Sequence, residues 1–231
     1  MAAASRAGTP DGHPRARPAD RREHILDAAE AEFARLGFGT TRLQSIADTV
    51  GIRTASLYNH FASKDELYAV VLERALEPVH ALLDEALANR EGSALPSGLM
   101  VAFADLYAAH PAIVHLFQHE MLVGTDAMHP LMRNWLTRLS EAGRTHLEQL
   151  YVAPGRWKPE EIPLLQLAMF NMVCGFFSAA PLHSVLTGSD VGSDRALAQQ
   201  RAFLQRLEHA LIRFQAPHEV SLASGFDEGE D

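Results

Sequence analysis

A single cysteine, Cys174, is all this chain carries, so no intrachain disulfide framework exists and a reducing interior is its natural setting. It lies in the apolar run Met172-Val173-Cys174-Gly175-Phe176-Phe177, with no basic neighbour in sequence to draw out a thiolate, and reads as a small buried hydrophobe. Neither HExxH nor a glycine-flanked nucleophile is present, which counts against a metal-dependent or elbow-type hydrolase. Alternating strand patterns and internal repeats are missing as well. No run is read as long and apolar enough to cross a bilayer, and the N-terminus lacks the continuous hydrophobic centre of a secretory signal. The expectation is a cytoplasmic chain with no membrane association and no cofactor.

Positive charge is also scarce: 20 Lys plus Arg face 29 Asp plus Glu, a formal net charge of −9. The shortage is uneven. Through Arg74 ten cations meet ten anions, so the whole deficit lies beyond that point. Phosphate neutralisation depends on cations at the contact surface, and the balance therefore does not exclude nucleic acid.

What is present is concentrated in TTRLQSIADTVGIRTASLYNHFASKDEL, residues 40–67. Thr41 and Gln44 have capping-box spacing, which predicts a helix from Arg42. Leu43, Ile46, Ala47 and Val50 line one face of it, and Gly51 ends it. Thr54 then caps a second helix of about two turns, through His60, with Leu57 and Phe61 pointing inward. Ser63 and Glu66 form another capping box, opening a third helix with Lys64 in its first turn. This leaves Arg53, Thr54, Ala55, Ser56, Tyr58, Asn59 and His60 outward, the layout that sets a short helix into a major groove while a companion helix crosses behind.

The segment resembles the N-terminal domain of the TetR family of transcriptional regulators, on Thr41, Ile46, Ala47, Gly51, Leu57, Tyr58, His60, Phe61, Lys64 and Leu67. The match covers roughly a quarter of the chain; beyond it, length and helical pattern agree but no motif does. The resemblance implies that Thr54, Ala55, Ser56, Tyr58 and Asn59 lie on the recognition helix, and that Tyr58, His60 and Lys64 reach the DNA backbone. Arg53 occupies a turn position that is usually small or polar. Thr41, Arg42 and Gln44, at the start of the preceding helix, join the expected contact set because helix N-termini attract anions.

The fold class expected is all-α: a three-helix helix-turn-helix head and a larger C-terminal helical domain for ligand binding and dimerisation. The boundaries read as a mobile basic arm at 1–19, the DNA-binding head at 20–66, the helical body at 67–214 and an acidic disordered tail at 215–231. Arg6, Arg15, Arg17, Arg21 and Arg22 make the N-terminus basic, suited either to a minor groove or to solvent. Helix one is expected over Arg21–Leu36, stopped by Gly37, and a long helix over Ser63–Ala88, bent at Pro78. Further helices are predicted near 96–109, 111–123, 127–151, 160–180 and 194–214.

The segment 162–180 is apolar almost all round and needs cover on both sides. The resemblance implies that the last two long helices pair with their copies in a four-helix bundle, giving a homodimer on a palindromic double-stranded DNA operator. It also implies a small-molecule effector cavity, for which Phe103, Tyr107, Phe117, Met121, Trp135, Phe170 and Asn171 are the candidates. His115, His119 and Glu120 raise the alternative of metal sensing, although their spacing fixes no third ligand.

Overall fold

The computed structural model describes residues 18–88, 98–148 and 157–213. Every regular element among them is helical. The chain divides between Val71 and Leu72 into two compact units.

The first unit contains α1 (Pro18–Thr40), α2 (Leu43–Val50), α3 (Thr54–Leu57) and the start of α4 (Lys64–Ala88). On α1, Ile25, Leu26, Ala29 and Phe33 recur at helical spacing and are buried; α1 packs on α2, where Ile46 and Ala47 are buried in turn. The Phe33 ring meets Tyr68 edge-on at 4.8 Å, and Phe38 lies 4.9 Å from the same tyrosine. The helix extends to Thr40 but is kinked at Gly37, with φ 75° and ψ 165°, where the sequence placed its end. Arg21 and Arg22 sit in its N-terminal part and not in a free arm. Residues 1–17, with Arg6, Arg15 and Arg17, lie outside the described residues, as does the 215–231 tail.

In the second unit α4 continues through Pro78 to Ala88. It is followed by α5 (Leu99–Ala109), α6 (Pro111–Val123), α7 (Pro130–Leu147), a single 3-10 turn (Pro159–Glu161), α8 (Ile162–Ser178), α9 (Ala180–Thr187) and α10 (Asp194–Arg213). Helix α8 is the centre of this unit, packed against α5, α6 and α7. Its inner face carries Ile162, Leu165, Met169, Val173, Cys174 and Phe177. The stretch Pro159–Ser178 is, by length and composition, apolar enough to cross a membrane, and α5 with α6 passes the same test as a pair bent by 101°. That overturns the reading that no such run exists; 33% of the apolar stretch is buried, on the side of α8 that packs against α5, α6 and α7. Leu164 and Leu167 nevertheless remain largely exposed on its other side. Helix α9 is not among the helices expected from the sequence; Pro181 sits in its first turn, where no amide donor is needed.

One long-range contact fixes α5. Glu208 of α10 is buried, and its Oε1 accepts the amide of Met100 at 2.8 Å, capping a helix 108 residues earlier in sequence. Gly98 makes this possible: at φ 79° any side chain is strained, and a Cβ there would collide with the Glu208 carboxylate. Burial pushes the Glu208 carboxyl above its ordinary value, the Met100 amide opposing it. The folded chain thus holds this proton after the unfolded chain has released it, so the contribution is present in acid and is lost as pH rises through the folded value. Glu208→Ala should cost about 1–3 kcal/mol, because a buried amide loses its acceptor. Glu208→Gln, which keeps an acceptor oxygen, should cost less and give a melting temperature that falls less as pH rises; calorimetry of both variants across the acid range checks this.

Candidate nucleic-acid interface and effector cavity

In the head, Gly51 ends α2 in the left-handed conformation, φ 72°, and its amide bonds the Asp48 carbonyl while Ile52 closes back on Ala47 at 2.9 Å. This turn delivers α3. Only Thr54–Leu57 is helical, one turn where two were expected, and Tyr58, Asn59 and His60 follow as a turn. The buried Leu57 anchors the turn, while Arg53, Ala55, Tyr58 and Asn59 are exposed and Thr54, Ser56 and His60 are half-buried. Arg42 and Gln44 also face solvent at the start of α2.

Thr41 does not belong with them. It is 2% exposed, and its hydroxyl donates to the carbonyl of Gly37 at 2.8 Å and of Glu32 at 3.2 Å, so it is fastened to α1 and cannot meet a phosphate. The expected Thr41–Gln44 capping box is therefore not formed, and α2 starts at Leu43 with no side-chain cap. The Gln44 amide instead donates to Asp48 at 2.6 Å and its oxygen accepts the Thr54 hydroxyl. Thr54 consequently links the two short helices and is not an N-cap. The second box is present with a shift of one residue: Ser63 accepts the Glu66 amide at 3.0 Å, and the Glu66 carboxylate takes the amide of Ala62 at 2.6 Å.

Two cations are held on aromatic faces. The Lys64 ammonium lies 4.5 Å from the centre of the Phe38 ring, and the Arg22 guanidinium 5.0 Å from that of Phe61. Partial burial lowers the Lys64 pKa. Sequence reasoning missed the positioning of Arg22, although an arginine near the start of α1 and an aromatic residue just after α3 are the signal for it.

In the second unit a cavity of about 390 Å³ opens among α5, α6, α7 and α8. Four candidates line it: Phe103, Tyr107, Met121 and Phe170. They are joined by Leu99, Met100, Leu136, Leu139, Leu147, Leu167, Met169 and Val173, with Ser140 and Gln166 as polar groups. Phe117 does not line it, being buried against Trp135 at 4.8 Å. Nor does Asn171, which is exposed and donates to the Leu167 carbonyl one turn back. Trp135 borders a different cleft. Behind the wall, Tyr107 is hydrogen-bonded to Cys174, whose thiol burial pushes up to about 12, as an unreactive core thiol should be. Glu120 is 4% exposed and accepts the His129 amide at 2.8 Å, which is a structural use of the carboxylate proposed as a metal ligand. Among the described residues no three His, Cys, Asp or Glu gather to hold an ion.

A glycine-turned pair of short helices, with its outer face exposed and cations braced at its rim, is the architecture of a helix-turn-helix head. Residues 25–71 match the bacterial regulatory proteins of the tetR family, so this part of the chain is similar to the DNA-binding head of TetR-family transcriptional regulators. It is 35% identical over 104 residues to the HTH-type transcriptional repressor KstR2 of Mycobacterium tuberculosis, an alignment covering 43% of this chain and 50% of that protein. The chain thus spans about half the length of the KstR2 relatives it matches. To the HTH-type transcriptional regulator RutR of Escherichia coli it is 26% identical over 190 residues, covering 81% of this chain and 88% of RutR. The fold is shared with the ketosteroid transcriptional regulator KstR2 of M. tuberculosis, at TM-score 0.63 and 23% identity over 83% of this chain and 93% of that one. It is shared as well with AibR, solved with isovaleryl coenzyme A and operator DNA, at TM-score 0.64 and 15% identity over 81% and 97%.

Proposed function

We propose that this chain is a non-enzymatic, one-component transcriptional repressor of the cytoplasm, binding a palindromic operator as a homodimer and released by a small apolar or amphipathic effector. The observation that carries this reading is the head itself, in which Arg42, Gln44, Arg53, Ala55, Tyr58 and Asn59 share an exposed surface around a buried Leu57. Base readout falls to Ala55 and Asn59. Tyr58, His60 and Lys64 bind phosphates, and Thr54 acts through Gln44. The head is taken as residues 20–66 and the body as 67–214.

Dimerisation is supported by apolar surface that one copy leaves uncovered: Leu164 and Leu167 on α8, Leu182, Val185 and Leu186 on α9, and Phe203 on α10 are each more than half exposed. Patches of this kind mark association surfaces. The 390 Å³ cavity, walled by apolar groups with Ser140 and Gln166 as polar exceptions, suits the effector. The relative solved with both a thioester ligand and operator DNA supports two such sites on one fold. Only a ligand with unequal affinity for the DNA-binding and released states shifts the equilibrium between them.

Selecting bound duplexes from a random DNA pool and screening compounds for release of the winner tests this reading. No enriched duplex at low ionic strength would sink it. The cavity has its own test. Gly143 lines it, and a Cβ there would stand 2.6 Å from the flexible end of Gln166. Gly143→Leu should fill the space, leave operator affinity unchanged, and raise the effector concentration needed for release at least about tenfold, the equivalent of about 1.4 kcal/mol. Fluorescence anisotropy of labelled operator reads both quantities.

A further inference from the structure

Between α4 and α7 lies a second, smaller recess of about 280 Å³, bordered by His80, Asp84, Trp135, Arg138, Glu141 and Thr145. It is separate from the apolar cavity: Leu139 alone borders both. At this recess Trp135 is 3% exposed, and its indole Nε1 is buried without a hydrogen-bond partner. The Nε2 of His80 is in the same condition, with the two rings 6.4 Å apart between centres. Buried polar nitrogens left unpaired cost about 1–3 kcal/mol each, and two beside one recess are exceptional in a folded chain.

We infer that this recess is a second small-molecule site, taking an uncharged molecule through a hydroxyl or carbonyl oxygen. The chemistry of the border selects that class. An indole N–H only donates, so the incoming group must accept, which removes ammonium. Asp84 and Glu141 outnumber Arg138 at the border, which disfavours a carboxylate or phosphate. A hydroxyl accepts from Trp135 through its oxygen and donates its O–H to a His80 Nε2 that carries no hydrogen, and a carbonyl oxygen is served by the tautomer with hydrogen on Nε2. Both nitrogens are sealed from solvent, so the oxygen must part the two rings on entry; the hydrogen bonds regained offset that opening. This proposal is independent of DNA binding and of the apolar cavity.

Trp135 and Trp157 are the only tryptophans, so Trp157→Phe leaves a single emitter at the site. In that background cyclohexanol and cyclohexanone should saturate a change in Trp135 emission, whereas cyclohexylamine and cyclohexanecarboxylate should bind about tenfold or more weakly. Adding His80→Phe should weaken cyclohexanol about tenfold, while His80→Gln, which keeps a polar partner, should restore most of it. If Trp157→Phe fails to fold, fluorotryptophan NMR of the wild-type chain follows the same titration, with Trp135→Phe assigning the resonance. Equal affinity for all four compounds, no response at Trp135, or binding indifferent to His80 would overturn the proposal. The last result places the probe in the apolar cavity and leaves the effector reading intact.

Discussion

Phe33→Ala should cost the head about 3–5 kcal/mol and abolish operator binding before the second unit is affected. Phe33 is 0% exposed, and its ring forms a three-ring cluster with Phe38 and Tyr68, the residues that tie the end of α1 to the start of α4. Removing it opens a cavity that Phe38 and Tyr68 cannot fill without losing their contact with each other. That cost is comparable with the total stability of a small domain. Hydrogen exchange should therefore show the amides of α1 and α2 losing protection while those of α8 keep theirs, and anisotropy should show no duplex binding at any accessible concentration. Retained operator affinity would mean that the head is held together elsewhere.

Lys64→Ala should weaken binding to every duplex by a similar factor and lower the slope of log K against log salt by about one. The ammonium rests against the Phe38 ring, so the charge is oriented before DNA arrives and less side-chain freedom is lost on contact. Lys64→Arg should restore the charge but not the fit over the ring, and so recover only part of the affinity. Binding to the selected operator and to a scrambled duplex over a range of salt concentrations checks both. A change confined to sequence preference would remove Lys64 from the phosphate contacts.

Local periodicity made most helices legible. The alternation of buried and exposed residues along 21–36, 43–50 and 64–83 is set by short-range spacing, and Gly51 and Ser63 act on their immediate neighbours. What could not be read depended on distant partners. Thr41 has the spacing of a cap, but the carbonyls of Glu32 and Gly37 take its hydroxyl, and spacing alone does not choose between these partners and Gln44. Glu208 looks like an ordinary charge on the last helix until α5 is brought against it. In the cavity, aromatic residues were a sound guide to the interior but could not be sorted: Phe103 and Phe170 reach open space, whereas Phe117 is packed solid. Gly143, Ser140 and Gln166 carry no hydrophobic signal at all, although they shape the same wall.

The bond between Thr54 and Gln44 bears on how such a head can be re-engineered. With α3 reduced to one turn and its first hydroxyl committed to α2, the orientation of the residues after Arg53 depends on a side chain ten positions upstream. Grafting 54–60 alone into another head is expected to blur its sequence preference. Carrying Gln44 and Asp48 along should transfer that preference whole.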